Sequence, residues 1–526
     1  MKIVTVLDKR SGIEYAYESV AYWDKVKKQG RHRRKLVGKV DPQTGEIVPT
    51  DGRMRMDKKA AISDPVAVSR KFYGATYLLD VIGEKLGIVA DLKRCFPETY
   101  LQILSIAYYL ILQDKAPLYR FSNWDALHKH PYGRDIPSQR SSELFASITE
   151  SAKEQFFLRQ SARQAEDEHL VYDVTSISSY SEALRQAVYG YNRENDHLPQ
   201  INLALIFGAK SNLPFHYRKL AGNIPDVSTL KEQMAILEDL GFPKVKLVLD
   251  NGFYSKKNVD GLYTDGYRFL ILAATSLSYI GKALATADED LRCIGNYNET
   301  YELHMTTIKS EWKHPRKNPG KGETVNEKGH LYIHCYYNPK IALEAGMKFK
   351  KRLLSLKREL ETGKLKQTHR RQYAKWFHVE TVEGERKVSF KKDAIAAATR
   401  HHGIFTLIGN EELDASTALQ IYRNKDVIEK AFGNVKERLN FRRALVSSEL
   451  GLEGKLFVVF IALIFLSHIK KQMEISGLVK KYSTPELLDE LGRIECYERA
   501  GKEPHVGEVL KLQRNIYTLL GYPPPA

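Results

Sequence analysis

Three observations predict a mixed α/β fold for this chain. The composition is that of an ordinary globular protein, with 43% hydrophobic and 28% charged residues. Apolar residues recur near helical spacing over residues 61–165 and in strand-length runs after them. Those runs follow the order strand, strand, strand, helix, strand, helix, strand, which builds a mixed sheet covered by helices. A chain of 526 residues, at roughly 150 per domain, predicts about three or four domains.

Taken in order, residues 1–60 read as a small β-rich basic module. Short β-type runs at Lys2–Leu7, Glu14–Val20 and Lys35–Val40 alternate with turns at Ser11-Gly12 and Thr44-Gly45. The module carries the cluster Lys25, Lys27, Lys28, Arg31, Arg33, Arg34 and Lys35. Residues 61–165 read as a helical DNA-binding or dimerisation region, with Tyr77, Leu78, Val81, Ile82 and Leu86 near helical spacing and a second helix at Leu101–Leu112. Residues 166–285 hold the first part of the sheet. Strands are predicted at His169–Ile177, Ile201–Phe207, Leu213–Leu220, Lys244–Leu249 and Tyr267–Ala273, and helices at Ser228–Leu240 and Lys256–Asp265, with Ser228 as N-cap.

Residues 286–400 break the rhythm with β-like runs at Tyr301–Ile308 and Leu331–Tyr337, a loop at Pro315–Gly322 and a basic helix at Ile341–Leu360. They read as an insertion domain. The α/β order resumes over 401–475 with strand Ile404–Ile408 and helix Thr417–Glu437. The apolar run Leu456–Leu466 follows; its length falls well short of the ~20 residues of a spanning helix, so it predicts a buried core helix and no membrane association. Residues 476–526 read as a helical tail.

Charge is concentrated. Residues 1–59 hold 15 Lys/Arg and 8 Asp/Glu, and residues 309–400 hold 23 and 10, so these two stretches carry +7 and +13 of a whole-chain +17. The rest is slightly acidic. Two blocks of this kind predict phosphate-binding surfaces, because neutralised phosphates release counterions in proportion to the local cation count. Asp8, Lys9 and Arg10 interrupt the only early apolar stretch, so no secretory leader is expected. The four scattered cysteines exclude a disulfide scaffold and fit a reducing cytosol.

Two aspartates stand out. Asp173 interrupts Leu-Val-Tyr-Asp-Val-Thr-Ser, and Asp250 ends Lys-Leu-Val-Leu-Asp-Asn-Gly-Phe-Tyr. A carboxylate on a central strand is costly unless it is paired, hydrogen-bonded or metal-bound; alone, each is equally well read as a turn or helix cap. A third element, Tyr422 to Lys436, aligns Tyr422, Lys425, Glu429 and Lys436 on one helix face about 60° wide. The plain reading of that face is a solvated Lys–Glu ladder. The flanking Val427, Ile428, Phe432 and Val435 argue against full exposure. Three carboxylates from two strands and a helix can hold two divalent ions, Mg²⁺ or Mn²⁺, for an in-line displacement at phosphorus.

At these residues the chain resembles the DDE transposases of the bacterial insertion-sequence-four superfamily. The resemblance rests on Tyr-Asp-Val-Thr-Ser around Asp173, on Gly222-Asn223-x-x-Asp226-x-x-Thr229, on Asp250-x-Gly252-Phe253, and on Tyr422-x2-Lys425-x3-Glu429-x6-Lys436. The last is similar to the family's Y-x2-R-x3-E-x6-K signature, with Lys425 where the family has Arg. A bidentate phosphate fork thus becomes a point charge. The resemblance implies a ribonuclease-H-like fold with a large insertion before the last catalytic helix, and Asp173, Asp250 and Glu429 as the catalytic, metal-binding triad. It implies Tyr422, Lys425 and Lys436 as contacts to DNA-end phosphates, with Arg423 beside them. It further implies an aromatic in the insertion that stacks on a displaced base: Trp312, with neighbouring Lys313, or Trp376, although large aromatics more often simply pack. Arg31, Arg33 and Arg34 are the N-terminal candidates for DNA.

The expectation is a cytoplasmic, nucleoid-associated enzyme that binds the terminal inverted repeats of its element as a homodimer on double-stranded DNA, cleaves there and joins the freed ends to target DNA. The alternatives are a ribonuclease-H-fold nuclease without strand transfer and a non-catalytic DNA-binding repressor. His330, His334, His401 and His402 lack carboxylate or Cys partners at ligand spacing and read as structural. G-x-S-x-G and Gly-rich phosphate loops are missing.

Overall fold

The computed structural model describes residues 2–8, 12–24, 29–42, 44–49, 68–163, 168–181, 183–190, 197–224, 226–239, 241, 246–317, 324–382, 385–439, 441, 446, 448–499 and 503–526. Lys25, Lys27 and Lys28, and the expected boundaries at 60–61 and 165–166, lie outside the described residues. The chain divides into two compact units, Met1–Ser69 with Tyr497–Pro504, and Arg70–Cys496 with His505–Ala526.

The first unit holds an antiparallel sheet of β1 (Lys2–Leu7), β2 (Glu14–Asp24), β3 (Gln29–Val40) and β4 (Ile47–Pro49) in sequential order. Strand β3 begins earlier than the expected Lys35, because Gln29–Arg34 pair with β2 through their backbone. Their exposed polar side chains carry no period-2 hydrophobic signal, so pattern reading missed them. Register places Tyr22 opposite Arg31 and Val20 opposite Arg33, whereas Ser19 faces Arg34. Arg31 and Arg33 therefore share one face with Tyr22 and Val20, and Arg34 points to the other.

The chain enters the second unit within β5 (Val68–Phe72) and runs through six helices, Gly74–Lys85, Ile88–Cys95, Tyr100–Leu112, Phe121–Leu127, Ser138–Ser147 and Glu150–Ser161. Then come β6 (His169–Ser178), β7 (Gln200–Gly208), β8 (Pro214–Ala221), β9 (Lys246–Leu249), β10 (Arg268–Ala273), β11 (Tyr297–Asn298), β12 (Leu303–Lys317), β13 (Thr324–Tyr337), the hairpin β14 (Phe377–Val382) and β15 (Glu385–Phe390), and β16 (Ile404–Gly409). All but the hairpin form one nine-stranded sheet in the order β11-β12-β13-β16-β10-β9-β6-β7-β8. Strands β6, β9 and β10 run parallel; β6–β7–β8 and the β16 side are antiparallel. A mixed sheet is thus what the α/β order predicted.

Period-2 alternation sends the two faces of β6 into different cores. Val171 and Ile177 pack with the N-terminal helices and the helix Glu449–Ile475, while Leu170, Tyr172 and Val174 pack with Asp226–Asp239, Lys256–Thr264 and Ser278–Leu291. The helix Asp226–Asp239 starts two residues before the expected cap Ser228.

The stretch 286–400 has two characters. Strands β11–β13 belong to the large sheet, so they share its core. Residues 339–400 instead enclose a small core of their own, with Leu353, Leu356, Leu360, Tyr373, Trp376 and Phe377. The expected loop at Pro315 is the end of β12, where Pro315 pairs only with Asn326 of β13. A proline is tolerated there because that part of β12 is an edge; residues 318–323 lie outside the described residues.

The apolar run at 456–466 sits inside the 27-residue helix Glu449–Ile475, capped by the Ser448 hydroxyl accepting from Gly451 N–H at 3.1 Å. The helix is long and apolar enough to cross a membrane, but 89% of its most apolar window is buried within the protein. It crosses Ser138–Ser147 so closely that a Cβ at Gly454 would lie 2.0 Å from the carbonyl oxygen of Phe145, which only glycine permits. The chain ends through Thr484–Gly492, β17 (Glu495–Arg499), β18 (His505–Val506) and Lys511–Leu520.

Nearly two turns after Glu449, Lys455 is 7% exposed, its ammonium 5.1 Å above the Phe441 ring. Burial depresses its pKa to about 8. A lysine depressed in the folded state is protonated in both states below pH 8, so the burial cost is then fully present. Between pH 8 and the unfolded value near 10.4, the unfolded chain binds the extra proton and stability rises with pH. Lys455→Met is therefore expected to stabilise the protein by ~2–3 kcal/mol at pH 7, with the gain fading above pH 10. Denaturant melts across pH check this; a gain independent of pH would refute it.

Candidate active site

In the parallel ladder of β6 and β9, Tyr172 pairs with Leu249. The next residue in each case is an aspartate, Asp173 within β6 and Asp250 just past the end of β9 in extended backbone, so the two lie side by side. By alternation both point to the face of Val171 and Val248, which pack in the core containing Ile428, Ala431, Phe432 and Val435. The helix bearing Glu429 thus lies over the same face as the two aspartates.

Local bonds brace each carboxylate. Asp173 is 5% exposed, and its Oδ1 accepts from Val174 N–H at 2.8 Å. The hydroxyl of preceding Tyr172 donates to Thr229 Oγ1 at 2.8 Å, tying the strand to the helix Asp226–Asp239. Thr229 was legible in the sequence only as a motif position. Asp250 is half-buried; its Oδ1 accepts from Asn251 N–H at 2.9 Å and from the Tyr422 hydroxyl at 3.0 Å. Its Oδ2 lies 2.9 Å from Lys425 Nζ.

The expected single helix over 417–437 is three pieces, Ala415–Arg423, Asp426–Gly433 and a π-helical turn Asn434–Arg438. Between the first two, the N–H groups of Lys425, Val427 and Ile428 donate three residues back, to Tyr422, Asn424 and Lys425. That tightened turn departs from even 100° spacing. Lys425 is consequently 5% exposed, while the Glu429 side chain is 61% exposed and Lys436 is half-buried in the π turn. The uniform stripe expected from an unbroken helix is corrected to a graded arrangement with Lys425 deepest.

Lys425 Nζ also lies 3.6 Å from Glu429 Oε1. With 2.9 Å to Asp250 Oδ2, one ammonium bridges two of the three expected metal ligands. Sequence reasoning saw the i,i+4 Lys–Glu spacing but not the aspartate across the gap. Burial pushes the Asp250 carboxyl up, but the Lys425 hydrogen bond and charge, the Asn251 N–H and the Tyr422 hydroxyl outweigh it and hold its pKa below the usual value. The Tyr422 hydroxyl is raised by burial first, then by Asp250, with Glu429 and Asp173 adding their charge. All three carboxylates are thus felt at one tyrosine.

The donor set is oxygen-only and anionic, which suits a hard divalent ion, and a cation already lies between two of its members. As the side chains stand, no three His, Cys, Asp or Glu converge as a metal cluster among the described residues.

The other predicted residues fall elsewhere. Arg423 is exposed, its guanidinium 4.8 Å over the Tyr301 ring. Lys313 is exposed opposite Lys328. Trp312 is not available to stack on a base: it is 8% exposed in the sheet core, and its indole donates to Asp260 Oδ1 at 2.8 Å. Strand alternation turns it inward between exposed Glu311 and Lys313. Trp376 is likewise buried, in the small core of 339–400. A Ser–His–Asp chain does occur, with His130 2.9 Å from both Ser105 Oγ and Asp125 Oδ1. Ser105 is fully buried, donates to Leu101 O and accepts from Tyr132 N–H, so its role is structural.

The sequence profile of the family described as the transposase DDE domain matches residues 164–465, which contain every residue of this constellation. The chain belongs to the DDE transposases. No curated protein matches it. Among solved structures, the cryo-EM structure of a piggyBac transposase synaptic complex with hairpin DNA is similar over 78% of this chain and 70% of its own, at 10% identity and a TM-score of 0.34.

Proposed function

We propose that this transposase belongs to the insertion-sequence-four superfamily and performs cut-and-paste transposition on double-stranded DNA, cleaving at the inverted-repeat ends of its element and joining them to a target. The observation that carries the reading is the adjacency of Asp173 and Asp250 across the β6–β9 ladder with Glu429 tied to Asp250 through Lys425. The strand order β8-β7-β6-β9-β10, three antiparallel strands continuing into two parallel ones, supports a ribonuclease-H-like core, with 286–400 as the insertion before the catalytic helix.

In this reading Asp173, Asp250 and Glu429 would hold two Mg²⁺ or Mn²⁺ ions, which would supply activation of the attacking oxygen and charge stabilisation at the leaving oxygen. Tyr422 orients Asp250 through its hydroxyl. Lys425, Lys436 and exposed Arg423 and Lys313 hold end phosphates, and Arg31, Arg33 and Arg34 supply further contacts. Trp312 keeps a packing role. The two ends are processed coordinately, which calls for a homodimer on DNA.

The test is purified full-length protein with Mg²⁺ and duplexes carrying the element's inverted repeats or scrambled sequence. Cleavage at the repeat boundary followed by joining to a target plasmid is expected. Equal nicking of both duplexes without joining would point to a nuclease, and binding without cleavage to a repressor.

A further inference from the structure

We propose that Lys425 is a built-in counterion of the active site, that a divalent ion must displace it to reach Asp250 and Glu429, and that the displaced ammonium then becomes a phosphate ligand. The inference rests on the triad reading above. Lys425 Nζ is 2.9 Å from Asp250 Oδ2 and 3.6 Å from Glu429 Oε1, so these carboxylate oxygens lie within 6.5 Å of each other, the sum of those distances. The other oxygen of Asp250 is engaged by the Tyr422 hydroxyl and Asn251 N–H. A metal ligated by Asp250 through Oδ2 and by Glu429 would therefore occupy the space that the ammonium fills.

The geometry explains why a lysine can stand where the superfamily carries arginine. A compact ammonium on a flexible stem fits between two carboxylates and leaves by rotating its side chain. A planar guanidinium is larger and would prefer a fixed bidentate pair. Lys425 is almost fully buried, on the tightened turn between two helix segments. Retreat of its ammonium into the apolar side, towards Ile428 and Phe432, would cost desolvation without a partner. The favourable exit is towards the exposed Glu429 side chain, where in the proposed reading an end phosphate would be met. Metal loading and phosphate capture are thereby coupled through one side chain. Without the metal, Lys425 also screens the repulsion between the two carboxylates.

The coupling is read from binding, independently of catalysis. Calorimetric titration of the chelator-treated full-length protein with Mn²⁺ is expected to show at least about tenfold tighter binding for Lys425→Gln than for wild type, since a unit charge next to the ion is removed. Lys425→Arg, which keeps the charge, should not show this gain. DNA binding gives a second readout. With inverted-repeat DNA, the slope of log affinity against log salt should steepen by about 0.9 in Ca²⁺ relative to EDTA, one added phosphate contact, and the increment should vanish in Lys425→Gln. Unchanged or weaker Mn²⁺ binding in Lys425→Gln, with Glu429→Gln weakening it, would overturn the counterion role and leave the triad intact. An unchanged wild-type salt slope would overturn the phosphate step. Absence of saturable Mn²⁺ binding in every variant would overturn the triad reading and this inference with it.

Discussion

Asp173→Asn is expected to abolish DNA-end cleavage, by about a thousandfold or more, equivalent to ~4 kcal/mol of barrier, while leaving the fold and DNA affinity nearly unchanged. The substitution is isosteric. The amide oxygen can still accept from Val174 N–H, the bond now made at 2.8 Å, so the strand keeps its geometry. What is lost is one full negative charge beside Asp250, on the face covered by the Glu429 helix. In the proposed reading, an amide would hold a hard divalent ion less well than a carboxylate, and the chemistry that ion would supply would fall with it. A gel assay of end cleavage in Mg²⁺, beside binding measured in Ca²⁺, separates the two effects. Cleavage within tenfold of wild type would mean that Asp173 serves only the strand's structure.

The largest stability loss is expected at a site remote from the chemistry. Glu453, on the helix Glu449–Ile475, accepts from two buried ammonium groups, Lys153 at 3.0 Å and Lys219 at 2.9 Å. Their side chains are only 3% and 7% exposed. Lys153 also reaches Glu150, and Lys219 reaches Glu449, so each keeps one partner when Glu453 is removed. Glu453→Ala leaves two buried cations short of an acceptor and should destabilise the protein by ~3 kcal/mol, the lower end of the cost of breaking a buried pair. Glu453→Gln, which retains an acceptor oxygen, should lose less than half of that. A cleft of about 520 Å³ opens beside the network, giving water partial access and bounding the penalty. Urea denaturation of the three proteins checks the order; equal midpoints would show that the network contributes nothing net.

Much of this transposase can be read along the chain because the relevant signals are local. Asp173 interrupts one continuous apolar run and Asp250 terminates another. The core helix at 456–466 announces itself by hydropathy. The Lys425–Glu429 spacing follows from helical periodicity. Strand β3 was under-read because Arg31, Arg33 and Arg34 are exposed on one side of the sheet or the other, and cross-strand backbone bonds leave no trace in side-chain polarity. The helix break at Asn424 was invisible for a similar reason: 421–428 contains neither glycine nor proline.

The sequence by itself determined which residues are acidic, which apolar runs form the central strands and where basic charge concentrates. Only the tertiary structure decided which of them meet. The β6–β9 register brings Asp173 beside Asp250, 77 residues later. The tightened turn carries Lys425 between Asp250 and Glu429, and the packing of β12 on Ser278–Leu291 takes Trp312 out of reach of DNA. Periodicity is a property of a few neighbouring residues. Register and burial depend on the whole chain closing on itself, and a single strand or helix carries no record of the partner it will find.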